Sequence, residues 1–230
     1  MSPVVRDTVM RLYHGTAGRW LPSILRQGLE PRGRKVSRSN WKETVPSNPN
    51  CVYFSSCYAP YFAFKAAGDS NKAICAVIEI ETDRLPAQNL LLPDEDCLEQ
   101  AGRSYDGVPG GILARTLHYR RDMQRFNGTD AWKLSLEYLG TCAYHGIVPP
   151  GAITRIVTWP HQPNIKLMLT WDLSVSLAHQ RVCGNRYRVL TRKLFDGEFS
   201  HSPSVEAVKT PHWLDDPPLP PIEGWQVTRL

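Results

Sequence analysis

No two cysteines of this chain stand at Cys-x-x-Cys spacing, and no histidine lies at zinc-finger distance from such a pair, so a structural zinc site is not expected. The N-terminus lacks a charged segment followed by a long apolar stretch, so no secretory leader is expected. The six cysteines (Cys51, Cys57, Cys75, Cys97, Cys142 and Cys183) are therefore read as thiols in a reducing, cytoplasmic setting rather than as disulfides. No apolar run approaches the roughly 20 residues that a membrane-spanning helix needs, so no membrane partner is expected. No internal repeat is present, and no large excess of one charge: the net charge of +5 permits an anionic partner without requiring one.

What is present is ordinary globular material. The 230 residues are 42% hydrophobic and 21% charged, enough to bury a core. "TVMRLYHG" alternates as a strand, and "WLPSILRQGL" places Trp20, Ile24 and Leu25 at helical spacing with Gly28 as the C-cap. Residues 30–50 are polar and basic and predict a long loop of the kind that often carries function. "CVYFSS" predicts a strand, "YAPYFAFKAA" a helix, and "AICAVIEIET" a strand that alternates apolar residues with Glu79 and Glu81. "PDEDCLEQA" opens with proline and acids, as a helix N-terminus does, and this reading is preferred to a metal site. "ILARTLHYRRDMQRF" predicts a helix with Ile112, Leu113, Leu117 and Phe126 inward and Arg115, Arg120, Arg121 and Arg125 outward. "KLSLEYLGTCAY" and "AITRIVTW" predict two more strands, "RVCGNRYRVLTRK" is a basic amphipathic segment, and "PHWLDDPPLPPIEGW" reads as extended. Short strands mixed with a few helices predict an α+β domain over residues 1–200, followed by a proline-rich tail over 201–230.

Three residues stand out for chemistry: His14 at the end of the first strand, followed by Gly15 and Thr16; Tyr53 in the second strand; and Glu137 in "LSLEYLG". A glycine allows close approach of a ligand to the backbone, and threonine adds a hydroxyl. Each has a bland alternative, since strand histidines and tyrosines usually pack and strand acids usually face solvent. Taken in order, "LYHGTAGRWLPSILRQGLEP", "VYFSSCYAPYFAFKA" and "LEYLG" resemble the ADP-ribosyltransferase superfamily. The similarity is to its His-Tyr-Glu branch, which includes poly-ADP-ribose polymerase catalytic domains and the diphtheria toxin-like fold, and it covers roughly residues 9 to 158.

That resemblance implies a split mixed or antiparallel sheet of ADP-ribosyltransferase type with peripheral helices, and NAD as co-substrate. It implies that His14 bonds the adenosine ribose, that the backbone of Gly15 holds the nicotinamide amide, and that Tyr53 stacks on the nicotinamide. A second aromatic would complete the sandwich, with Phe64 favoured over Tyr61 and Phe62. Thr16 and Ser55 would supply hydroxyls. Glu137 would be the catalytic carboxylate, stabilising the positive ribose that forms as nicotinamide departs.

Ser135 stands where many arginine-modifying members carry Glu or Gln, which argues against an arginine acceptor. From Leu113 to Ser200 there are twelve Lys or Arg against six Asp or Glu, a balance suited to a phosphate backbone. Trp132 is expected at a loop tip, stacking on a base, with Arg120, Arg121 and Arg125 beside it. The expected acceptor is DNA or RNA, as for bacterial toxins that modify nucleic-acid bases, and such a toxin would have a cognate antitoxin or inhibitor. The alternatives are a protein-directed transferase, an NAD-dependent RNA 2'-phosphotransferase, and an inactive nucleotide-binding module; Glu137 argues against the phosphotransferase, and the intact set of His14, Tyr53 and Glu137 against the module.

Overall fold

In the computed structural model, the residues described are 9–34, 47–56, 58–68, 73–87, 90–100, 109–161 and 226–230. The strands are β1 (Arg11–Ala17), β2 (Cys51–Ser55), β3 (Ile74–Glu81), β4 (Leu91–Pro93), β5 (Thr141–His145), β6 (Ile153–Pro160) and β7 (Gln226–Arg229). The helices are α1 (Leu21–Gln27), α2 (Ala59–Ala67), α3 (Glu95–Gln100), α4 (Gly111–Arg125) and α5 (Ala131–Tyr138). Together they make an α+β fold on one seven-stranded sheet, in the order β4-β5-β2-β1-β3-β6-β7, with every neighbouring pair antiparallel.

The pairing is uneven, and the unevenness matters for the site. β1 runs in register with β3 over its whole length, from Arg11 opposite Glu81 to Ala17 opposite Cys75. With β2 it shares one in-register pair, Tyr13 and Ser55. The sheet is thus two well-paired parts, β4-β5-β2 and β1-β3-β6-β7, joined at that pair.

Helix α2 lies on β1 and β3. Its buried Ala59, Ala63 and Ala67 recur every four residues and form one small-residue face. This face approaches β1 so closely that a Cβ on Gly15 would collide with the Ala59 carbonyl and stand 2.6 Å from the Ala63 nitrogen. On the same sheet face, at the other end, Cys51, Leu92 and Ala143 pack under Leu98, Tyr119 and Met123 of α3 and α4. The opposite face buries Leu12, Val52, Phe54, Ile78, Ile80 and Tyr144 under α1 and α5.

β3 lies inside the sheet and is covered on both faces, so Glu79 does not face solvent. Its carboxylate accepts from Arg155 Nε at 2.8 Å and Arg155 Nη2 at 2.6 Å, and from the Thr154 hydroxyl at 2.8 Å. Arg155 stands directly opposite Glu79 on β6, which gives the fork the geometry for two-point contact.

Three expectations need correction. Residues 131–138 form a helix and not a strand; β5 begins only at Thr141. Trp132, Ser135, Leu136 and Leu139 turn inward while Lys133, Leu134 and Glu137 face out, a 3.6-residue rhythm. Gly140, at φ 74, turns the chain back into the sheet after the Gly140 N–H has closed the helix on the Leu136 carbonyl at 3.0 Å. Second, α4 is turned differently from its expected orientation: Thr116, Tyr119 and Met123 are buried, whereas Leu113 and Leu117 are 68% and 57% exposed. Third, the end of the segment assigned to the tail belongs to the sheet, since β7 pairs with β6 from Gln226 opposite Thr158 to Arg229 opposite Arg155. The basic segment at 181–193, the rest of the tail and the loop at 35–46 lie outside the described residues. Among the described residues, no helix is long and apolar enough to cross a membrane.

Arg155→Met leaves the Glu79 carboxylate buried without its partner. It is expected to lower the unfolding free energy by roughly 3–5 kcal/mol, and Glu79→Gln in the same chain to restore part of the loss, as read by urea denaturation.

Candidate functional site

Where β1 and β2 part after Tyr13 and Ser55, backbone groups on the facing edges lose their ladder partners. One of them is the Tyr53 carbonyl, and the His14 side chain meets it, with Nδ1 at 2.9 Å. A carbonyl only accepts, so Nδ1 carries the proton. Burial lowers the His14 pKa and outweighs this hydrogen bond, which keeps the ring neutral. Nε2 is then a lone-pair acceptor with no partner among the described residues.

The other end of Tyr53 is held as firmly. Its hydroxyl lies 2.5 and 2.7 Å from the two oxygens of Glu95 and accepts from the Asn48 N–H at 2.6 Å. The same N–H also reaches Glu95 Oε1 at 2.6 Å. Burial, and after it the charge of Glu95, pushes the Tyr53 phenol up, so it stays a donor. Glu95 is 2% exposed. Burial and the neighbouring Asp94 push its pKa up to about 8, against the hydrogen bonds that favour its charged form.

Asp94 caps α3 by accepting the Asp96 N–H at 3.1 Å. Its own N–H donates at 2.9 Å to the Ser135 hydroxyl, which donates in turn to the Thr141 carbonyl at 2.8 Å. Helix α5 is thereby latched to the β4–α3 corner that presents Glu95.

The structure gathers His14, Gly15 and Tyr53 at the β1–β2 junction and separates Glu137 from this network. Glu137 stands on the solvent face of α5, and its carboxylate forms no hydrogen bond or ion pair among the described residues. The carboxylate that meets Tyr53 is Glu95. The acidic run "PDED", directly after the apolar "LLL", carried the only sequence signal for it, and a helix start accounted fully for that run.

Several assigned ligand contacts are occupied by packing. The missing side chain of Gly15 makes room for α2. Ser55 is buried, its hydroxyl donating to the Gly140 carbonyl at 2.7 Å and accepting the Tyr58 N–H at 2.6 Å. Phe64 is 0% exposed, edge-on to Trp159 and to His161 with centroids 5.6 Å apart in each case. It is core, not a sandwich partner. Phe62, half-buried and with its Cβ 2.9 Å from where a Gly15 Cβ would stand, is the aromatic of α2 beside His14–Gly15. Thr16 is buried.

Trp132 is buried in the core with Leu136 and Leu91, not displayed at a loop tip. Arg120 turns back, its Nη2 donating to the Ser47 carbonyl at 3.4 Å. Arg121 and Arg125 are exposed, the first donating to His118 Nδ1 at 2.8 Å and the second 3.6 Å from Asp122. No grouping of three or more His, Cys, Asp or Glu that would suit a metal ion occurs among the described residues.

The sequence matches no family model and no curated protein.

Phe64→Ala is expected to lower stability by about 3–5 kcal/mol through lost burial and the cavity left behind. Phe62→Ala should cost distinctly less, and parallel urea titrations of the two variants check the contrast.

Proposed function

We propose that this chain binds NAD at the β1–β2 split and transfers its ADP-ribose, with release of nicotinamide, to an acceptor that is a nucleic acid. The observation that carries the reading is the His14–Tyr53 bond across the point where the two strands part. It leaves a neutral imidazole whose other nitrogen has no partner among the described residues and is suited to a ribose hydroxyl. It also ties the Tyr53 peptide to His14, whose neighbour Gly15 lies against the half-buried Phe62 of α2. Aromatic side chains close to such a junction suit a flat pyridinium, which gains from stacking and from leaving water.

In the reaction, the bond between ribose C1' and the pyridinium nitrogen breaks and its electron pair neutralises the departing nicotinamide. A lone pair of the acceptor then forms the new bond at C1', and the acceptor's proton is lost to a base or to solvent. The exposed Arg121 and Arg125 on α4 supply positive charge toward a phosphate backbone. A protein acceptor is the variant of this reading in which those arginines meet an acidic surface instead.

The placement of Glu137 favours a second reading. A triad carboxylate was the argument against an RNA 2'-phosphotransferase and against a nucleotide-binding module without turnover, and an exposed helical glutamate does not supply it.

Incubation with NAD labelled in its adenylate half, alone and with DNA, RNA or lysate, separates the readings. The expected outcome is nuclease-sensitive label. Label should fall on the order of 100-fold in His14→Ala and Tyr53→Ala, the size of loss typical for a well-placed polar or electrostatic contact. Label in Glu137→Ala should stay within about threefold of wild type, because nothing fixes that side chain beside a sugar; a loss of about 100-fold there would return Glu137 to the catalytic set. Protease-sensitive label selects the protein acceptor, phosphate removal from 2'-phosphorylated RNA selects the phosphotransferase, and binding without turnover selects the module.

A further inference from the structure

We propose that Glu95 is the positioning residue of this site: its carboxyl group, clamped against the Tyr53 hydroxyl and the Asn48 N–H, fixes the Tyr53 ring. The inference rests on the NAD reading for its ligand and on geometry alone for the anchoring.

Glu95 touches no open surface, so it acts through Tyr53. Oε1 of Glu95 accepts from both the Tyr53 O–H at 2.5 Å and the Asn48 N–H at 2.6 Å, and burial beside Asp94 favours the protonated carboxyl group. Without that proton, the buried Glu95 carboxylate lies near a second buried acid, Asp94, and each raises the cost of charging the other.

The ionisable neighbours support this assignment. From β2 come Tyr53 and Cys51, both pushed up by burial and by Glu95. From α3 comes Cys97, whose pKa Asp94 and Asp96 raise in addition to burial. From β5 comes Cys142, raised by burial and Asp94. Arg120 of α4 is the cation of this neighbourhood, felt at Cys51, and its hydrogen bond goes to the Ser47 carbonyl. Among the described residues, no cation contributes to the shift of either acid.

Glu95 ionises near 4.5 when unfolded and at about 8 when folded. Between those values the folded chain keeps a proton that the unfolded chain has released. Its stabilising contribution is complete below about 4.5 and is lost as pH rises through 8.

The test uses the full chain in two arms. In the first, NAD affinity is measured by calorimetry at pH 7 and pH 9 for wild type, Glu95→Gln and Tyr53→Phe. Wild type should weaken several-fold at pH 9. Glu95→Gln, whose amide oxygen still accepts from the Tyr53 hydroxyl and which has no proton to lose, should weaken binding a few-fold at pH 7 and lose the pH dependence. In the second arm, urea unfolding from pH 5 to 8.5 should show stability falling with pH in wild type and flatter in Glu95→Gln, with non-additive effects when Tyr53→Phe is combined with it. An unchanged pH profile in Glu95→Gln, or additive effects in the cycle, overturns the inference. Failure of wild type to bind NAD overturns the proposed function and the ligand half of this inference, and the second arm then decides the anchoring by itself.

Discussion

Tyr53 is gripped at both ends, by an imidazole on its carbonyl and a carboxyl group on its hydroxyl, and the candidate site exists because of that grip. A sheet that parts between two internal strands exposes backbone donors and acceptors, and unpaired buried ones are costly. His14 substitutes a side chain for the missing ladder partner of Tyr53, and the sheet can stay open there. Glu95 then removes the remaining freedom of the tyrosine ring. The polar groups that would otherwise argue against a gap are the ones that hold it in shape.

The surrounding structure supports those two contacts from both sides. Ser55 ties the end of β2 to the start of β5 and to the entry of α2. Ser135 ties α5 to the corner that carries Glu95. On the far side, the buried Glu79–Arg155 fork locks β3 to β6, so β1 is paired to a stiff neighbour on one side and nearly free on the other. A stiff frame with one loosely joined seam is what a binding cleft within a single sheet requires.

Much of the frame was legible in the sequence. β3, β6 and the two glycine-containing ends of β1 and α1 follow from alternation and capping, and the acids and proline before α3 mark its start correctly. The failures have physical causes. In "WKLSLEYL" apolar residues fall at Trp132, Leu134, Leu136 and Leu139, so an alternating reading fits the first three and a helical reading fits a different set. Tertiary contact chose the helix and left Leu134 outside. On α4, Leu113 and Leu117 mimic an inner face, but the buried side is set by Tyr119 and Met123 meeting Leu92 and Cys51, residues far away in the chain. Phe64 and Phe62 are two positions apart, and only the direction of α2 decides which is core.

The site was legible in part for a similar reason. His14 and Tyr53 lie on regular strands whose ends can be read locally. Their acidic companion depends on β4 returning beside β5 and aiming the first turn of α3 at a residue 42 positions earlier. No local pattern encodes that meeting.

The contact of α2 with β1 has one more implication. At Gly15 no side chain separates helix from strand, so the spacing between Phe62 and the His14–Gly15 peptide is set by backbone thickness alone. A contact gauged in this way has no soft wall: it cannot widen by a rotamer change, only by lifting the whole helix and its ridge of Ala59, Ala63 and Ala67 off the strand. Intolerance of any side chain at position 15 is therefore built into the covalent chain, and even one added methyl group is refused by the stiffness of two packed backbones.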